Sequence, residues 1–387
     1  MKPTLLDRSF YAGDPYPALA ELRATDPVYR DETGMWGLML HEDVVWAERH
    51  PKLFSSAPGS RPRSFPQPSM IDSDDPLHKR RRGLVDKGFY PRPVAEEEQR
   101  VRAITRALID KVAPWGECDL VEDLAAPLPM IVIAQMLGVP PEDHDLLQHW
   151  SDLMISGADG PENATPAVLK AYADYVAYMD AIIADRRRTP REDLISTLVQ
   201  AEPGGEHLSR EEIIGEALLI LIGGNETTRN AISGGFEALM RAPEERQRLL
   251  DDPAISGQAA EEFLRWVTPV INMARMATTD VTIRDRTIPE GAQVLLMYIS
   301  ANRDERVFDR SHDFEVARNP NPHLAFGHSA HFCLGASLAR LEIKVMIEEV
   351  LARLPDIRAA VPGVNVTRTQ SSFIHGIPSL PVVFRSS

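Results

Sequence analysis

Cysteine is scarce in this chain: Cys118 and Cys333 are the only two in 387 residues. Two thiols cannot build a disulfide framework, and both are read as reduced, the state expected of the cytoplasm. Positive charge is in deficit too. Lys and Arg total 42 against 57 Asp and Glu, a formal net charge of -15. Nucleic acid and anionic membranes select basic faces, so neither is expected as a partner. Long apolar runs are also missing. The longest lies near residues 217–222, far short of the roughly 20 residues a spanning helix needs, so no membrane anchor is expected. The opening MKPTLLDRSFYAGDPYP has no apolar stretch of the secretory kind. There is no internal repeat, no linker that divides the chain, and no flavin or nicotinamide fingerprint.

What is present suits one large core. Hydrophobic residues make up 43% and charged residues 26%, the balance of a soluble globular protein, and residues 1–387 are read as a single domain. Helical spacing marks residues 15–25 and 41–50, with short strand-like runs at 28–30 and 35–40 around a turn at Thr33-Gly34. Residues 55–70, with four prolines and no periodicity, form a loop. Loops of that length inside a domain are either functional or mobile. From 96 to 183 the pattern is almost wholly helical. Strand-like runs at 274–278, 281–284 and 293–297 read as small hairpins, and two more at 363–369 and 379–384 close the chain.

Four stretches carry chemistry. In residues 323–342, HLAFGHSAHFCLGASLARLE, a small polar segment leads to Cys333, then Gly335, then a helical pattern. A thiol at the mouth of a helix meets backbone N–H groups and the positive end of the dipole, which favour the thiolate and lower its pKa. Phe326 and Phe332 are spaced to flank something flat. The second stretch, 208–241, starts with a capping box, Ser209 and Glu212, and continues as a buried apolar helix. Its middle holds Gly223, Gly224, Asn225, Glu226, Thr227 and Thr228. Interior glycines cost about 1 kcal/mol each against alanine, and a buried glutamate costs more unless paired. Glycines allow close approach to the backbone, and a threonine hydroxyl can bond back to a carbonyl and loosen the helix. A glycine-mediated helix crossing is the plainer alternative. Third, Glu262 and Arg265 lie three apart on one helix face. Fourth, in residues 74–85, DDPLHKRRRGLV, acidic residues and Pro76 open a helix on which His78 and Arg82 share a face. The basic run there is otherwise read as solvated.

Together FGHSAHFCLG, GGNETT, EFLR and HKRRR resemble, in order and spacing, the cytochrome P-450 superfamily of haem-thiolate monooxygenases in its soluble bacterial form. The resemblance covers nearly the whole chain. It implies a mainly α, helix-rich trigonal prism with small β-sheets, and haem b (iron protoporphyrin IX) as cofactor. Cys333 would be the metal ligand. Phe326 and Gly335 would flank it, and His78, Arg82, Arg275 and His331 would contact the haem propionates. Gly224, Glu226 and Thr227 would lie on the opposite side, with Thr227 positioning water and dioxygen and Glu226 passing protons. Glu262 and Arg265, with Arg318, would form a buried structural set. Two departures stand out: Ser329 replaces the second glycine of the family's loop, and Gly223 stands where alanine is common. If position 329 needs a positive φ, its serine is strained.

MIDSDDPLH, LAAPLPMIVIAQMLGV, LLILIGGNETTR and NPHLAFG are similar to actinobacterial enzymes that hydroxylate the end of the cholesterol side chain. The implied activity is hydroxylation of an unactivated C–H bond in a bulky hydrophobic substrate, with dioxygen and electrons from a ferredoxin and ferredoxin reductase. Macrolide, polyketide, terpene or fatty-acid substrates, peroxide-driven hydroxylation and a non-catalytic haem protein are the alternatives. A monomer is expected. The implied pocket lining is 65–70, 154–159, 219–223, 270–273 and 373–374, and the implied ferredoxin face is Lys79–Arg81, Arg340 and Lys344.

Overall fold

The helix Arg210–Arg241 starts where its capping box lies. The Ser209 hydroxyl accepts from the Glu212 amide at 3.2 Å, and the Glu212 carboxylate accepts from the Ser209 amide at 2.8 Å. A helix of 32 residues is about 48 Å long, and 20 of these residues are buried. A computed structural model describes residues 2–202, 207–361, 363 and 366–385. In it this central helix packs against helices Pro127–Leu137, Ser256–Val267 and Ala336–Arg353. Close approach follows from its glycines: a Cβ on Gly235 would sit 1.8 Å from the Phe263 ring. Leu221, Ala231, Ile232, Phe263, Ile343, Met346 and Ile347 from these helices join one large core.

The sheets are small and stitch distant parts together. Five strands run in the spatial order Val28–Arg30, Trp36–Leu38, Gln293–Leu296, Met273–Ala277 and Phe54–Ser55. Trp36–Leu38 lies parallel to Gln293–Leu296 (Trp36 opposite Val294), and Met273–Ala277 pairs antiparallel with the latter. The hairpin expectation therefore holds only for Val281–Ile283 with Arg286–Ile288. The flanking runs pair across that hairpin instead. A strand within the supposedly helical tract, Glu117–Asp119, pairs with Pro381–Val383. The run at 363–369 lies partly outside the described residues, and 366–369 form no strand. The helix expected from 74 begins at Leu77. Asp74 instead accepts from the Ser55 hydroxyl and, at 2.9 Å, from the Ser56 amide. It pins the start of the proline-rich loop rather than the helix dipole.

Candidate functional site

Cys333 ends a short turn and precedes the helix Ala336–Arg353, with Gly335 at its N-cap. The Cys333 amide donates to the Phe326 carbonyl at 2.8 Å, which folds the loop back on itself. Phe326 and Phe332 meet edge to face at 6.0 Å, and the Arg340 guanidinium sits 4.6 Å from the Phe326 ring centroid. Two loop residues take the left-handed backbone, Gly327 at φ 66° and Ser329 at φ 60°. The position where serine replaces glycine does require a positive φ. The expectation of a lowered thiol pKa is not met by the protein's own groups. Burial pushes the Cys333 thiol up, and the opposing Gly335 amide is the smaller influence.

Four basic side chains gather beside this loop. The His78 and His331 rings lie 4.1 Å apart. Arg82 donates to the Phe332 carbonyl at 2.8 Å, and Arg275 donates to the Ala274 carbonyl at 2.8 Å. Among the described residues neither arginine has an ion pair. Burial, and then the positive charges of Arg275, His78 and Arg82, drive His331 far below its usual pKa. His78 keeps Asp75 at 3.4 Å and Arg275 lies within reach of the buried Glu48 carboxylate, so the surplus charge rests on Arg82 and in part on Arg275, and it suits an anionic guest.

The central helix supplies the other wall. At Gly223, which is exposed within this otherwise buried helix, a Cβ would meet nothing within 4 Å, while at Gly224 it would come 2.9 Å from Ile133. Thr227 lies one turn beyond Gly223, and its hydroxyl donates to the Gly223 carbonyl at 3.0 Å. This is the back-bond that loosens a helix. Glu226 is buried and paired rather than free. Its carboxylate takes Arg229 Nη2 at 2.6 Å, and Arg229 Nη1 reaches Asp152 at 2.6 Å. Burial raises the Glu226 pKa and Arg229 opposes that rise. A thiol, a partly compensated basic rim and the opening at Gly223 fit a flat dianionic group with a metal at its centre.

The supporting set assembles as expected. Glu262 and Arg265 are both fully buried and joined by bonds of 2.6 and 2.7 Å, with Arg318 Nε 3.3 Å from Glu262. Three of the five lining segments also meet. Ala158, Phe373 and Ile374 cluster with Ile155, Val270 and Met273. Asp159 fastens the 371–373 turn by accepting from both serine hydroxyls at 2.9 Å and from the Ser372 and Phe373 amides at 2.6 and 3.1 Å. Phe65, by contrast, is 77% exposed.

The basic face needs correction. Arg81 is buried, donates to Glu212 at 2.6 Å and to Ser69 and Ser73, and ties the proline-rich loop to the central helix. Arg340 is held by Glu261, and Lys344 lies near Glu98 and Glu348. Of the five, only Lys79 and Arg80 stay exposed with no ion pair among the described residues. Arg81 was discoverable: it lies three residues from His78, on the same helix face.

Residues 161–252 and 257–355 match the family model described as Cytochrome P450. A Steroid C26-monooxygenase of Mycobacterium tuberculosis is 45% identical over 386 residues, spanning 99% of this chain and 97% of that protein. A Methyl-branched lipid omega-hydroxylase of Mycobacterium bovis is 42% identical, spanning 91% of this chain and 84% of that protein. Among solved structures, the Bacillus megaterium protein CYP109E1 in complex with testosterone superimposes with a TM-score of 0.89 at 34% identity, covering 99% of this chain and 100% of the other.

Proposed function

Because this chain belongs to the cytochrome P450 family, we propose that it hydroxylates the far end of a steroid or methyl-branched lipid chain, with Cys333 as the ligand of its haem iron. It is a P450 monooxygenase and its cofactor is haem b. When bound, that group supplies the activation of dioxygen and the oxidation of the C–H bond, and a cysteine ligand favours O–O cleavage.

The protein's own part is placement and proton supply. Cys333 would hold the iron. A coordinated thiol is deprotonated outright, so iron ligation would offset the burial that raises this thiol. His78, Arg82, Arg275 and His331 would contact the propionates. Phe326, Phe332 and Gly335 shape the proximal side. Gly223 leaves room on the other side, where Thr227 orients a water, and Gly224 lets Ile133 pack close to the helix. Glu226, switching between Arg229 and that water, delivers protons. The apolar cluster of Ala158, Ile155, Val270, Met273, Phe373 and Ile374 receives the hydrocarbon body of the substrate. Electrons from NAD(P)H arrive through a ferredoxin and its reductase, for which Lys79 and Arg80 are the accessible contacts. The protein acts as a monomer in the cytoplasm, and its two unpaired cysteines accord with a reducing setting.

The observation that carries this reading is the basic rim beside Cys333, where neither Arg82 nor Arg275 has an ion pair among the described residues. The test is the carbon monoxide complex of the reduced protein. Thiolate ligation gives a strongly red-shifted Soret band, and Cys333→Ala abolishes it. An unshifted band in the wild-type protein would refute the ligand. Titration with a branched-chain sterol must then give the low-to-high-spin shift, with oxidation at the chain terminus.

A further inference from the structure

We propose that Arg61 is the anchor for a carboxylate on the substrate, so that this hydroxylase takes a hydrophobic acid in preference to its neutral counterpart. The proposal rests on the hydroxylase reading above and narrows its substrate class.

Arg61 belongs to the proline-rich loop, and its neighbour fixes it beside the pocket. The Ser60 carbonyl accepts from the Ala274 amide at 2.7 Å. That roots the loop on strand Met273–Ala277, between Met273 of the apolar cluster and Arg275 of the basic rim. The Arg61 carbonyl is occupied by Ser64, whose hydroxyl donates at 2.9 Å. Its guanidinium has neither a hydrogen bond nor an ion pair among the described residues. The carboxylate within electrostatic reach is Asp72. That group is already engaged: one oxygen takes the Ser60 amide and the other the Gln67 amide, both at 2.8 Å.

Most of the more deeply buried arginines have a carboxylate: Arg23 meets Glu305, Arg81 meets Glu212, Arg186 meets Asp193, and Arg265 meets Glu262. Arg275 and Arg303 bond backbone carbonyls instead. Arg61 is surrounded closely enough for burial to lower its pKa, yet it is only half-buried and keeps accessible surface. A half-buried cation with open surface and no partner among the described residues is poised for an anionic ligand. The planar guanidinium fork matches a carboxylate through two parallel bonds. The propionates already have four basic residues beside Cys333, so the acid it serves is the substrate's.

The test uses the haem-loaded full chain, titrated with iso-branched hexadecanoic acid and with its methyl ester while the spin shift is followed. Wild type should bind the acid at least about tenfold tighter than the ester, as loss of a charge-assisted pair implies. Arg61→Leu should reduce acid binding to the ester's level and leave the ester unchanged, and Arg61→Lys should keep part of the preference. Equal binding of acid and ester by wild type, or an acid preference that survives in Arg61→Leu, overturns the anchor. Haem content per chain is measured on each variant. Loss of haem from Arg61→Leu overturns the anchor as well, because it assigns Arg61 to the propionates. If neither compound shifts the spin state while the carbon monoxide band is intact, the anchor fails and the hydroxylase reading stands. If that band is absent, both fail.

Discussion

Glu262→Gln removes one negative charge and almost no volume from the most enclosed ion cluster of the fold. In the native structure Glu262 Oε1 accepts from Arg265 Nη2 at 2.6 Å and from the Glu315 amide at 2.9 Å. Its Oε2 accepts from Arg265 Nε at 2.7 Å and from Asn321 at 3.1 Å. Arg265 has its remaining donors on the carbonyls of Asn302, Ser311 and Asp313. The glutamine leaves the buried Arg265 guanidinium without its counter-charge, while Arg318 keeps Glu315 at 2.8 Å. Breaking one side of a buried pair costs about 3–5 kcal/mol. Unfolding entropy of about 2.1 cal/mol/K per residue gives roughly 0.8 kcal/mol/K for a chain this long, so a loss of about 4 kcal/mol lowers Tm by about 5 °C. The damage should reach the cysteine loop, because Asn302 also holds the Leu324 amide at 2.6 Å. Differential scanning calorimetry of the haem-loaded protein, with the carbon monoxide spectrum beside it, reads both effects. Arg92→Ala, which removes an exposed pair with Glu96, is the control and should leave Tm unchanged. A Tm change in Glu262→Gln no larger than the control's, with an intact red-shifted band, would refute the claim that this cluster supports the loop.

Two further outcomes follow from the geometry. Ser329 sits at φ 60°, where a non-glycine residue is strained by about 1–2 kcal/mol; glycine relieves this but costs about 0.5–1 kcal/mol in chain entropy. Urea midpoints should therefore run Ser329→Gly at or slightly above wild type and Ser329→Val well below, and any order with valine above serine contradicts the strain. Glu216 is buried with neither carboxylate oxygen hydrogen-bonded, and burial pushes its pKa up to about 8 against an unfolded value near 4.5. The folded state then holds a proton that the unfolded chain releases, so this group's contribution is complete below about pH 4.5 and declines as pH rises towards about 8, by at most about 1.4 kcal/mol per unit. Glu216→Gln should flatten the fall of Tm between pH 5 and pH 8 and raise Tm at the alkaline end; a slope identical to wild type sinks this assignment.

Legibility in the sequence tracked the range of the interaction. The capping box of Ser209 and Glu212, the helix face shared by His78 and Arg82, the Glu262–Arg265 spacing and the back-bond of Thr227 all act within four residues, and each appears in the structure. The pairing of Glu117–Asp119 with Pro381–Val383 has no local trace, because a three-residue strand is defined by a partner at the far end of the chain. Glu226 is a mixed case: its burial was readable from the apolar helix around it, while its partner Arg229 and the link to Asp152 depended on how a second helix packs.

Arg61 and Arg63 show where local reading stops. They stand two apart in the same proline-rich loop, with no helical or strand period to assign either a face. Arg63 is exposed and its amide bonds Gln293 at 3.1 Å, whereas Arg61 is half-buried and its guanidinium has no partner among the described residues. The difference is set by Asp72, which lies downstream and binds the backbone on either side of this segment, at Ser60 and Gln67. By taking amides rather than a guanidinium, that carboxylate both folds the loop and leaves Arg61 without an internal counter-ion. Asp72→Asn should therefore loosen the loop, whereas Asp72→Glu, with its longer reach, should let the carboxylate meet Arg61 and weaken binding of the acid relative to its ester. Titrating both variants with the same pair of ligands separates the two roles of one side chain, and an unchanged acid-to-ester ratio in Asp72→Glu would show that the loop, and not the free charge, governs the preference.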